Sequence, residues 1–142
     1  MTTNSKLQIR SKDLVFVAEW EEARAPISCA TIKKLLPISH NIIQARWSGE
    51  AAWISLDHLD FNIEFENHTM YPSKGDLLVY PGFINVKEIL VPYGPSIFGS
   101  KMGLLAGNHF ASIVSGRDQL EELGRRVSME GSQEVELSEV FV

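Results

Sequence analysis

The apolar residues of this chain fall into about eight short runs, and only two stretches carry a helical period. That pattern limits the fold more than any single motif does. Lys6 to Arg10 alternates, with Leu7 and Ile9 on one face, and Leu14 to Ala18 is a continuous apolar run with a solvated exit at Glu19, Glu21 and Glu22. Ile42 to Trp47 and Ala51 to Leu56 flank Ser48-Gly49-Glu50, which reads as a tight hairpin or bulge. Leu77 to Tyr80 lies between two turn signals, Lys74-Gly75-Asp76 and Pro81-Gly82. Val86 to Val91, His109 to Val114 and Glu134 to Val142 supply further strands, and a short one is expected at Phe61 to Phe65. Pro92 to Asn108 is rich in Gly, Pro and Ser and reads as a long loop of the kind that often carries function.

The first helix is expected over Pro26 to Leu36. Pro26 suits the first turn, Cys29, Ile32, Leu35 and Leu36 share a face, Lys33 and Lys34 suit the C-terminal end, and Pro37 stops it. The second is expected over Ser115 to Glu130. Ser115 and Asp118 resemble a capping box, Leu120, Leu123 and Val127 form the stripe, and Gly131 ends it. Glu121 with Arg125 and Glu122 with Arg126 are i,i+4 pairs in the favourable orientation.

Strands dominate and do not alternate regularly with helices, which disfavours a doubly wound sheet. A closed barrel removes the exposed edges, so the expected fold is mainly β: a barrel of about eight strands with two helices capping its ends. Residues 1–5 are expected to be a disordered N-terminus and 6–142 a single barrel domain, which suits a chain of 142 residues. The N-terminus lacks an apolar core of signal-peptide length and no run approaches the ~20 residues that cross a bilayer, so a cytoplasmic location is expected. The net charge of −5 and scattered basic residues speak against nucleic acid and against an anionic membrane surface as partners. Cys29 is the lone cysteine, which excludes an internal disulfide, and its place on the helix's apolar stripe marks an inert thiol.

Arg46-Trp47-Ser48-Gly49-Glu50-Ala51, followed by Gly75-Asp76-Leu77-Leu78-Val79-Tyr80-Pro81-Gly82, resembles the small bacterial cyclophilin-like proteins of unknown function. The resemblance spans about residues 6 to 142. It implies a cyclophilin-like barrel of eight strands and two helices, and no established activity. True cyclophilins isomerise X-Pro bonds with an Arg on the strand after the first helix, and Arg46 holds a similar place. Its neighbours differ from theirs, however, and no Gln-Gly-Gly-Asp segment occurs, so no isomerase activity is expected.

The candidate ligand-binding residues are Arg46, Ser48, Glu50, Tyr80, Tyr93 and His109. Arg46 and Ser48 alternate onto one strand face with Glu50 near them across the turn, and an Arg beside a carboxylate can bind a small polar ligand or simply staple the hairpin. Tyr80, Tyr93 and His109 stand at strand ends beside the glycine-rich turns, where Tyr and His can exchange protons. Lys101 lies in the long loop, and Trp47 and Trp53 read as barrel-wall residues. His58, Asp60 and His68 lack the spacing of a metal site, so no metal and no cofactor are expected. No phosphate-binding loop and no Gly-x-Ser-x-Gly nucleophile motif occurs.

The expected function is binding of a small polar molecule at the barrel mouth. The alternatives are an amide-processing hydrolase or lyase with Glu50 or His109 as base, and a structural subunit. The closing segment EVELSEVFV would leave an edge for a second copy, so a homo-oligomer, as a dimer, is expected.

Overall fold

Alternating buried and open positions make the first two strands, β1 (Ser5–Ser11) and β2 (Leu14–Trp20), in a computed structural model that describes residues 4–142. Of the segment expected to be disordered, residues 1–3 lie outside the described residues and Ser5 already opens β1. The helix α1 (Pro26–Leu35) follows, with Pro26 in its first turn, Lys33 and Lys34 in its last, and Ser28, Cys29 and Ile32 buried. The strands β3 (Ile38–Gln44) and β4 (Gly49–Ser55) form a hairpin. Next come the two-residue β5 (His68–Thr69), then β6 (Asp76–Tyr80) and β7 (Glu88–Ser96). A small hairpin of β8 (Gly99–Ser100) and β9 (Gly103–Leu104) leads into β10 (Gly107–Ser115). A helical segment and β11 (Gln133–Phe141) end the chain.

The strand order β2-β1-β11-β3-β4-β7-β6-β10 closes on itself, because β10 pairs with β2. All pairings are antiparallel, so the result is a closed eight-stranded barrel, with β5 an added rung on β10. The last strand does not offer the edge expected of it: β11 is flanked by β1 and β3, so both its ladders are already used.

The barrel wall is buried on both sides over part of its circumference. Ala52, Ile54, Leu77, Val79, Ile89 and Val91 point inward and join the main core with Cys29 and Ile32 of α1 and Leu120, Leu123 and Val127. The residues of opposite parity, Ala51, Leu78, Tyr80 and Leu90, point outward, since successive side chains alternate across a strand. They are covered by Phe98 and Leu105, which flank the β8–β9 hairpin and form a second core with them. The segment from Ile97 to Ala106 is thus an arm laid across the outer wall.

Several expectations are corrected here. Chain reversal begins at Ala45, whose N–H bonds Ala51 C=O at 2.9 Å, so Arg46 and Trp47 sit in the turn and the strand lies earlier, at Ile38–Gln44. Phe61 to Phe65 forms no strand: the Asn108 side chain bonds Glu64 C=O at 2.9 Å and Glu66 N–H at 3.1 Å, doing what a ladder would have done. Pro92 to Asn108 is not one loop. The strand β7 runs on to Ser96 through a register shift opposite Gly49 and Ala51, and prolines are tolerated at such an irregularity. The second helix is composite: a 3-10 turn (Arg117–Gln119), α2 (Leu120–Arg125) and a π-helical turn (Arg126–Glu130). No Ser115 capping box forms; the entry residue is Gly116 at φ 85°, in the left-handed region. Glu122 binds both Arg125 and Arg126, while Arg125 reaches Glu130 rather than Glu121. No helix among the described residues is long and apolar enough to cross a membrane.

Candidate functional site in the outer wall

The β3–β4 turn and the arm meet at one serine. Ser48 Oγ accepts a hydrogen bond from Gly99 N–H at 3.0 Å and donates to Gly99 C=O at 3.2 Å, and Ile97 N–H bonds Ser48 C=O at 3.0 Å. Close approach demands glycine there, because a Cβ at position 99 would stand 2.3 Å from Trp47 O. The turn presents Arg46 and Trp47, and the tip of the arm presents Lys101.

Between turn, arm and wall lies a cavity of about 380 Å³. Arg46, Trp47, Lys101, Trp53, Gln44 and Glu88 line it, together with Ser48 and Asn85. Trp53 packs against the second core, and Glu88 shares the outward parity of Leu90 two residues along β7, so the cavity opens on the outside of the barrel. Arg46 and Ser48, expected at the barrel mouth, border this outer-wall cavity instead. Neither Arg46 nor Lys101 forms an ion pair among the described residues.

Glu88 is the residue that sequence reading missed. It is 6 % exposed, and its carboxyl makes no hydrogen bond among the described residues. Burial pushes the carboxyl up to about 8, and no cation stands close enough to hold it down. The signal was present as a lone acid at the head of an apolar strand, Glu88-Ile89-Leu90-Val91.

The six expected site residues do not converge. Arg46 and Ser48 reach the cavity, Ser48 by holding the arm. Glu50 and Tyr93 instead line a broader, shallower depression beside α2, and Glu50 makes no ion pair with Arg46. Tyr93 touches the cavity indirectly, its Oη donating to Gln44 Oε1 at 2.6 Å, and burial raises its phenol. Tyr80 is 2 % exposed beneath the arm; its Oη accepts Ile84 N–H at 2.9 Å and its ring lies 6.0 Å from Phe98. His109 is on a different wall, with Nε2 2.8 Å from Ser112 Oγ and 3.5 Å from Asp76 Oδ1. Trp47, expected in the wall, is 59 % exposed because the turn carries it outward.

Cys29 is buried, its thiol donating to Phe110 C=O at 3.2 Å, and burial pushes it up to about 12, which keeps it protonated. His58 stacks on His40 with ring centroids 4.7 Å apart, and His68 leans on Phe65. Among the described residues no group of three His, Cys, Asp or Glu is placed to hold a metal.

Fold and site together define a closed antiparallel eight-stranded barrel with a small charged cavity under an external arm. The chain belongs to the DUF3830 family, proteins of unknown function, whose family model matches residues 7–139. No curated protein matches it in sequence. Solved structures share the fold. The structure of McbB in complex with tryptophan superposes with a TM-score of 0.70 at 19% identity, over 93% of this chain and 44% of the McbB chain. The chain thus spans less than half the length of that protein. The solution structure of the hypothetical protein AF2241 from Archaeoglobus fulgidus superposes with a TM-score of 0.65 at 20% identity, covering 97% of this chain and 96% of that one.

Proposed function

We propose that this chain binds a small anionic molecule with a flat or apolar body in the outer-wall cavity. Arg46 and Lys101 take the anionic group, and Trp47 and Trp53 take the body. One observation carries the reading: two cations without a carboxylate partner among the described residues and two indoles line a single concavity whose roof is fastened by Ser48 and Gly99. A guanidinium binds a carboxylate through two parallel N–H donors, and exposed indole surface gains from covering an apolar ligand. The tryptophan in McbB, a protein of similar fold, supports trying aromatic carboxylates first.

The barrel is read as cyclophilin-like on the motifs around Arg46 and Gly75 and on the strand count. The hydrolase reading loses its geometry, since Glu50 and His109 lie away from the cavity. Dimerisation through the last strand loses its support, since both ladders of β11 are occupied.

The test is a thermal-shift screen of small carboxylates, tryptophan among them. A ligand at 100 times its dissociation constant adds ~2.7 kcal/mol to stability. Arg46→Ala and Lys101→Ala should each weaken any hit at least several-fold. A screen in which no carboxylate raises the melting temperature overturns the proposal.

A further inference from the structure

The cavity has cations at its rim and, facing into it, the carboxyl of a largely buried acid that makes no hydrogen bond among the described residues. Glu88 is 6 % exposed and its carboxyl accepts no hydrogen bond among the described residues. Its ladder neighbours are Ser55 on β4 and Tyr80 on β6, and neither hydroxyl donates to it. Ser55 Oγ takes Asp57 N–H at 3.3 Å, and Tyr80 Oη takes Ile84 N–H at 2.9 Å. Gln44, the amide in the cavity, has its Oε1 bonded to Tyr93 Oη and its Nε2 to Gly49 C=O. Lys87, the nearest cation along the chain, reaches across to Leu59 C=O and the Phe61 ring. The charged groups that share the cavity with Glu88 are Arg46 and Lys101.

Resting on the reading above, we propose that the ligand carries an amine as well as an anion, and that its ammonium donates to the Glu88 carboxylate while its anionic end lies with Arg46 and Lys101. The ligand class is then a zwitterionic amino-carboxylate. A buried carboxyl without a partner costs the fold free energy, and a charge-assisted bond from an ammonium removes that cost while fixing the ligand's direction. A cation inside the protein would have neutralised Glu88 in place. Instead burial leaves it protonated near neutrality, with no cation offsetting the effect. The arrangement therefore favours a ligand that brings its own positive charge. On binding, the Glu88 proton leaves to solvent and the ammonium takes its place, so that a protonated carboxyl plus R–NH₃⁺ becomes a carboxylate–ammonium pair plus one released proton.

Three probes with the same ring separate the two ends: phenylalanine, 3-phenylpropionate without the amine, and phenethylamine without the carboxylate. The intact protein is titrated calorimetrically at pH 6.5 in buffers of different ionisation heat, which counts protons released on binding. The expected result is that phenylalanine binds at least tenfold tighter than 3-phenylpropionate, that its binding releases a proton, and that 3-phenylpropionate binding releases none. Glu88→Gln should abolish both the preference and the release. A far-ultraviolet circular dichroism spectrum that matches the parent's shows that the variant is folded. If 3-phenylpropionate binds as tightly as phenylalanine, the amine inference is overturned and the anion site stands. If phenethylamine alone binds, the anion site is overturned and the role of Glu88 stands. If none of the three binds, both are overturned.

Discussion

Ser48 Oγ grips both backbone groups of Gly99, receiving its N–H at 3.0 Å and giving a hydrogen bond to its C=O at 3.2 Å, fifty-one residues away in sequence. This one side chain ties the β3–β4 turn to the arm that covers the outer wall. Ser48→Ala should cost roughly 1–2 kcal/mol, the range for losing such bonds at a buried site. Gly99→Ala should cost more, because its Cβ would meet backbone, Trp47 O, at 2.3 Å. Urea melts rank the two, and amide exchange should show Phe98 and Leu105 N–H losing protection in both. Equal stabilities of Gly99→Ala and the parent would contradict the close approach.

The pH dependence of stability should carry the signature of Glu88. Its carboxyl titrates at about 8 when folded against 4.5 for an ordinary Glu. Between those values the folded state holds more protons than the unfolded one, so stability falls as pH rises through the window and levels off above it. At ~1.4 kcal/mol per pKa unit, the loss is a few kcal/mol. Glu88→Gln should remove that slope, making the variant less sensitive to pH and more stable than the parent at pH 9. Parallel curves for the two proteins from pH 5 to 9 would refute the assignment.

Gly124 sits on α2 with its Cα pressed to the Tyr93 ring; a Cβ there would lie 2.2 Å from the ring carbon Cδ1. Helix propensity alone favours Ala over Gly by ~1 kcal/mol. Overpacking costs roughly 1–3 kcal/mol and should win, so Gly124→Ala is expected to destabilise. Combining it with Tyr93→Leu should recover part of the loss. A Gly124→Ala variant that melts higher than the parent would mean that Tyr93 moves aside freely.

Asn108 is fully buried and holds three partners: Ser28 Oγ at 3.0 Å, Glu64 C=O at 2.9 Å and Glu66 N–H at 3.1 Å. Asn108→Ala leaves those groups without it in a closed environment, at roughly 1–3 kcal/mol for each one left unsatisfied. The expected total is at least 2 kcal/mol by chemical denaturation, with residues 61–66 becoming susceptible to proteolysis. A loss under 1 kcal/mol would show that water replaces the amide.

Arg46 and Glu50 are both exposed and make no pair, so Arg46→Ala and Glu50→Ala should each change stability by less than ~0.5 kcal/mol, and the double variant should be additive. A non-additive loss in melting curves without ligand would restore the hairpin pair and remove Arg46 from the site.

What the chain alone determined was local and periodic. Leu7 and Ile9 alternate and Leu14 to Ala18 is an unbroken apolar run, and both strands bury their alternate residues inside the barrel. Pro26 and the paired lysines place α1 within one residue of its expected end. These features need only nearest neighbours and a side-chain period, and a barrel is the closure that leaves so many short strands without edges. Where long-range contacts compete, sequence reading failed for physical reasons. The Asn108 amide replaced a strand at 61–65, and a register shift carried β7 through Pro92 and Pro95. The site itself belongs to tertiary structure. Whether Leu90 faces water or a second core depends on an arm that begins beyond Ser96 and is fastened by Ser48. An outward position on a barrel strand is polar by default, and only the tertiary cover laid over the outer wall turns Leu78, Tyr80 and Leu90 into a second core.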